Sequence, residues 1–153
     1  IIVTGKGLGG GMPIGSFIAS QEMMSCLKDN PKLGHITTFG GHPVIATAGL
    51  ATITELNATN LIKDTLRKEA LIRAHLNHPQ IKEIRGKGLM LAAIVETSDI
   101  ASKIILKSLE KGLLLFWLLF EGKAIRITPP LIISDAELKQ GCELLLEVID
   151  EVV

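Results

Sequence analysis

The segment Ile1-Ile2-Val3-Thr4-Gly5-Lys6-Gly7-Leu8-Gly9-Gly10-Gly11-Met12-Pro13-Ile14-Gly15 constrains this chain most. Four β-branched residues favour an extended strand, and five glycines crowded after them favour a tight loop. A second apolar run, Ile14 to Ala19, follows Pro13. The spacing predicts two strands around a tight loop, with Lys6 carried on the loop. A helix is disfavoured there, because glycine and proline both weaken helical backbone.

The same residues match the literal pattern G-x-G-x-x-G in Gly5 to Gly10. That pattern marks a dinucleotide site only when it opens a helix, and Pro13 with the following apolar run argues for more strand. No second strand ending in an acidic residue lies at the required distance, and the phosphate-loop pattern is absent. Lysine and arginine together equal aspartate and glutamate at 16 each, and they are interspersed. Without a basic stripe, nucleic-acid binding is not expected. Cys26 and Cys142 match no metal or redox spacing, no metal set is expected, and a reducing, cytoplasmic setting is the simplest one. The most apolar run, Leu113 to Phe120, is far shorter than the roughly 20 residues of a membrane helix. It reads as buried strand, and no membrane association is expected.

Further along, Gln21 to Lys28 reads as a short helix with Ser20 as its cap, ended by Asp29-Asn30-Pro31. Pro43 opens a small-residue helix running to about Leu56, with Val44, Ala48 and Ala51 on its packing face. After Asn57-Ala58-Thr59-Asn60, a more charged helix runs from Leu61 to Leu76. Strands are expected at Ile81 to Ile84 and Leu89 to Val95, around Arg85-Gly86-Lys87-Gly88. A helix from Asp99 to Lys111, capped by Ser98 and stopped at Gly112, should follow. Leu113 to Phe120 and Ala124 to Ile127 read as strands across a turn at Glu121-Gly122-Lys123. Ser134-Asp135-Ala136-Glu137 is a capping box that starts the last helix.

Three segments carry chemistry. Lysine as a neutral amine attacks aldehydes, and glycine neighbours let a bulky partner approach the backbone, so Lys6 is a candidate nucleophile. Thr38 lies in His35-Ile36-Thr37-Thr38-Phe39-Gly40-Gly41-His42-Pro43, just before a helix. Arg126, in Ile125-Arg126-Ile127-Thr128-Pro129-Pro130-Leu131, offers paired donors for a carboxylate, although a structural ion pair would use an arginine equally well.

In this order, the segments resemble the lysine motif, the T-[F/Y]-G-G-N-P element, the small-domain R-G-x-G-L-M element and the R-[F/L]-x-P-P-L element of class III aminotransferases. His42 departs from the asparagine of the second. The resemblance implies the α/β architecture of fold-type I enzymes that use pyridoxal 5'-phosphate. Residues 1–57 would be the end of the large cofactor domain, and residues 58–153 a small α+β C-terminal domain. It implies that Lys6 is the catalytic, cofactor-binding Schiff-base lysine. Thr38 would bind the cofactor phosphate of the other subunit in a homodimer, and Arg126 the substrate carboxylate. Arg85, in Arg85-Gly86-Lys87-Gly88-Leu89-Met90, is expected to be structural.

The implied activity is transfer of an amino group from an amino acid or amine to an oxo acid, typically 2-oxoglutarate. An aminomutase or racemase of the same fold would share the lysine motif, and a non-catalytic folding or dimerisation module is the reading outside enzymes. The lysine lies well past the middle of the family's longer chains. The sequence is therefore expected to be a C-terminal portion, inactive alone, with apolar surface that promotes self-association.

Overall fold

A computed structural model describes residues 1–153. The chain divides into two compact units, Ile1–Asn60 and Leu61–Val153. No helix is long and apolar enough to cross a membrane.

The first unit begins with strand β1 (Ile2–Gly5), a single 3-10 turn at Lys6–Gly9, and strand β2 (Gly15–Ile18). The strands pair antiparallel, with Ile2 opposite Ile18 and Gly5 opposite Gly15. The glycine run therefore leads into strand rather than helix. Helix α1 (Gln21–Ser25) is capped by Ser20, whose hydroxyl accepts from the Met23 amide at 3.3 Å. It stops three residues earlier than the sequence predicts, because the chain tightens into i-to-i+3 bonds from Cys26 to Lys28.

Helix α2 (Pro43–Ala58) has Pro43 in its first turn. Its less exposed stripe is Ile45, Ala48, Gly49, Thr52 and Leu56, which includes the expected Ala48 but leaves Val44 and Ala51 exposed. The reason is contact with the lysine loop. A side chain at Gly49 would come within 3.3 Å of Ile14, and one at Gly10 within 2.6 Å of the Thr52 hydroxyl. Glycine thus permits close approach of loop and helix on both sides.

The second unit is an antiparallel sheet with helices on one face. Helix α3 (Leu61–His75) precedes β3 (Glu83–Lys87) and β4 (Met90–Ile94). Helix α4 (Ser98–Glu110), β5 (Phe116–Leu118), β6 (Glu121–Ile127) and α5 (Asp135–Val152) complete it. The strand order is β3-β4-β6-β5, which leaves β5 at an edge. Alternation sorts the side chains. Leu91, Ala93, Val95 and Ile125 join the main core with Ile104, Ile105, Leu145 and Ile149 of α4 and α5, while Ala92, Ile94 and Ala124 form a small cluster on the other face.

Several boundaries move relative to the sequence prediction. Strand β3 continues through Arg85 to Lys87, so the turn contracts to Gly88-Leu89, with Gly88 at a φ of 59°. Helix α4 is capped by Thr97, whose hydroxyl accepts from the Ile100 amide, rather than by Ser98. It ends at a left-handed Gly112, where the Leu113 amide donates to the Ser108 carbonyl. The expected turn at Glu121 to Lys123 lies inside β6. The hairpin instead turns at Leu119-Phe120, because Trp117 pairs with Ile125 and Leu118 with Glu121. The capping box at Ser134 and Glu137 forms as predicted.

Both sheets within these residues are antiparallel, so the mixed α/β fold is present here without parallel pairing.

Candidate active-site elements

Lys6 is the first residue past β1 and adopts a φ of 49°, a left-handed conformation rare for a residue with a side chain. Gly10 at 55° and Gly11 at 107° continue the turn. Across its base, the Thr4 and Ser16 hydroxyls meet at 2.7 Å. The Lys6 side chain is exposed, and a side chain placed at Gly7 would meet only open space. The amine enters none of the chain's ion pairs, and the flanking glycines leave its approach unobstructed. Donor chemistry and clearance fit a carbonyl-bearing cofactor.

Thr38 sits in a loop drawn tight by the Gly40 amide donating to the Thr37 carbonyl and the His42 amide to the Phe39 carbonyl. Gly41 has a φ of 70°. At Gly40 any side chain would come within 2.6 Å of the Thr37 hydroxyl. His42 Nδ1 accepts from the Val44 amide at 3.3 Å, so it caps α2 as an asparagine would. The substitution keeps the turn, and Thr38 stays exposed.

Arg126 lies in β6, opposite Ala92 on β4 and Phe116 on β5. Its guanidinium stands over the Phe116 ring, 4.8 Å from the centroid. Its Nε is buried with no hydrogen-bond partner. Arg126 lines a cleft of about 450 Å³ with Leu113, Leu115, Phe116, Ile127 and Pro130. An unpaired guanidinium beside an apolar cleft suits an organic carboxylate.

Arg85 is engaged differently. It contacts Glu83 at 2.8 Å and Glu121 at 3.6 Å, ion pairs that agree with the structural role expected of it. Its hairpin is gripped by α3. Arg73 donates to the carbonyls of Ile84 and Gly86, and Glu69 accepts from the Gly88 amide. That amide first, and Arg73 second, hold the Glu69 carboxyl below its ordinary pKa. A side chain at Gly86 would approach the Met90 carbonyl to 2.1 Å. Lys68, buried in α3, donates to the Leu131 carbonyl at 2.7 Å and thereby fixes the end of the Pro129-Pro130 loop. Neither grip is encoded in a local motif. The i to i+4 pairing of Glu69 and Arg73 was the only visible signal.

Lys6 and Thr38 thus belong to separate loops of the first unit and Arg126 to the second. A lysine in a glycine turn, a threonine–glycine loop capped into a helix, and an arginine strand entering two prolines define a class of enzyme. The chain belongs to the class III aminotransferase family, whose sequence profile matches residues 1–149. Within that family, it is 36% identical to the acetylornithine aminotransferase of Caldanaerobacter subterraneus subsp. tengcongensis, over 99% of this chain and 38% of that protein. The ornithine aminotransferase of Toxoplasma gondii ME49 superposes with a TM-score of 0.85 at 29% identity, covering 98% of this chain and 36% of that one. Another structure of the T. gondii enzyme, crystallised with oxidised glutathione, has partial occupancy of pyridoxal phosphate at its active site (TM-score 0.83, 29% identity, 98% and 36% coverage). The chain therefore spans well under half the length of these relatives. The family's cofactor is pyridoxal 5'-phosphate.

Proposed function

We propose that this chain is the C-terminal portion of a transaminase that moves an amino group from an amino acid to an oxo acid, with 2-oxoglutarate as the acceptor. In this reading residues 1–57 close the large cofactor domain and residues 58–153 form the small domain. The observation that carries it is Lys6, an unpaired amine held at a left-handed φ of 49° between two glycines, in a chain matched by the family over almost its full length.

When bound, pyridoxal phosphate supplies the aldehyde and the electron-withdrawing ring that activate the substrate's α-carbon. Lys6 would hold the cofactor through its Nζ amine, and the same amine would carry a proton to and from the substrate carbon as general base and then acid. Thr38 would donate its hydroxyl to the phosphate of the other subunit's cofactor in a homodimer. Arg126 holds a substrate carboxylate through its guanidinium edge.

In this reading activity belongs to the complete protein, since this chain spans only 38% of the length of the acetylornithine aminotransferase it matches. The reducing cytosol suits two thiols without a partner. The test is Lys6→Ala in the complete protein, which should abolish turnover while dimer assembly persists. An undiminished rate would remove Lys6 from the mechanism.

A further inference from the structure

We propose that Phe116 is a positioning residue for Arg126: its ring fixes the guanidinium plane so that the free donors meet a substrate carboxylate in one orientation. This rests on the reading of Arg126 as the carboxylate-binding arginine.

Three observations converge. First, Phe116 is the direct cross-strand partner of Arg126, so both side chains leave the same face of the sheet from adjoining strands. The guanidinium accordingly sits 4.8 Å from the ring centroid, within cation–π range. Second, Arg126 has no acidic partner to orient it. Glu83 and Glu121, the acids at this sheet, are both occupied by Arg85. The buried Nε has no acceptor at all. A long side chain with four flexible torsions is therefore held mainly by its stack on the ring. Third, β5 is an edge strand of three residues, and Phe116 is half exposed there. Its ring lies outside the main core and touches the edge of Trp117. One face of the guanidinium is covered and desolvated by the ring, which strengthens any charge-assisted bond at its remaining donors.

The decisive experiment replaces Phe116 in the complete enzyme with phenylalanines carrying one, two and three ring fluorines, and separately with Tyr and Leu. Fluorination withdraws the ring's negative face while nearly preserving its shape. KM for 2-oxoglutarate should rise stepwise along the fluorine series, reaching about 3- to 10-fold for the trifluoro ring and for Phe116→Leu, with kcat moving less than KM. Phe116→Tyr should restore near-normal KM. Arg126→Lys, run alongside, should raise KM at least as far as any Phe116 variant. A flat fluorine series beside a raised KM for Arg126→Lys overturns the positioning role and leaves the arginine's role standing. An unchanged KM for Arg126→Lys overturns the carboxylate reading, and the positioning role with it. Thermal melts of each variant, followed through the adjacent Trp117, separate unfolded protein from these outcomes.

Discussion

In the second unit, the sheet and its helices feed one main core, with a small cluster on the sheet's other face, and every buried hydrophobic residue of the chain lies in this unit, from Ile72 to Ile149. The first unit, 60 residues long, buries only Gly9 and Gly49, while Ile1, Val3, Phe17, Leu33 and Phe39 stand more than half exposed. The contrast separates two ways of holding shape. The second unit is ordered by burial, with the α5 stripe Leu138, Cys142, Leu145, Ile149 packed into the core beside α3 and α4. The first is ordered by backbone geometry: left-handed residues, glycine close approaches and helix caps. In the proposed function its apolar surface is covered by the rest of the protein and by a second subunit. The lysine loop thereby gains its backbone precision from its own sequence.

Large-to-small substitution should break the symmetry between the units most sharply. Ile125→Ala, at a fully buried position of β6, should cost about 3–4 kcal/mol in urea unfolding, whereas Ile2→Ala should change the same transition by less than about 0.5 kcal/mol. Equal costs would mean that the first unit has a core of its own. Glycine substitutions sharpen the point at the level of backbone. Gly86→Ala must place a methyl group against the Met90 carbonyl at a φ of 112°, and should cost about 2–3 kcal/mol. Gly7→Ala meets open space and should leave stability almost unchanged.

Acid provides a gentler test. Arg67 holds both Asp64 and Asp135 below their ordinary 3.8, and the Ser134 hydroxyl and amide hold Glu137 below its ordinary 4.5. Each carboxyl has a lower pKa folded than unfolded. The stabilisation is therefore complete above about pH 4.5 and is lost as pH falls through the depressed folded values. The second unit's melting temperature should be insensitive to these groups near neutrality and decline below that range. Substituting Arg67 with Met should flatten the decline. The smallest perturbation is thiol labelling at pH 8. Burial pushes the Cys142 thiol up to about 11, while Cys26 is exposed. Cys26 should react with iodoacetamide faster by about two orders of magnitude. Comparable rates would show that the second unit opens readily.

Local chemistry was legible in the sequence, and register was not. The Ser134 capping box, Pro43 in the first turn of α2 and the strand–turn–strand around Lys6 each depend on neighbouring residues, and all three are present. The β5–β6 turn depends on pairing across the sheet. Glu121-Gly122-Lys123 has the composition of a turn, yet the ladder from Phe116–Arg126 to Leu118–Glu121 places the reversal at Leu119-Phe120, two fully exposed apolar residues. The candidate site divides in the same way. Lys6, Thr38 and Arg126 could be picked out from motifs. Phe116 beneath Arg126, and α3 gripping the β3–β4 hairpin, required the strand register and the helix placement.

The most direct measurement is borohydride reduction of the complete protein in the presence of pyridoxal phosphate, followed by peptide mapping. A single reduced adduct on Lys6 is expected, with Lys68, Lys87 and the chain's other lysines unmodified. An adduct confined to a different lysine, or labelling spread evenly over the exposed ones, would contradict Lys6 as the residue that anchors the cofactor.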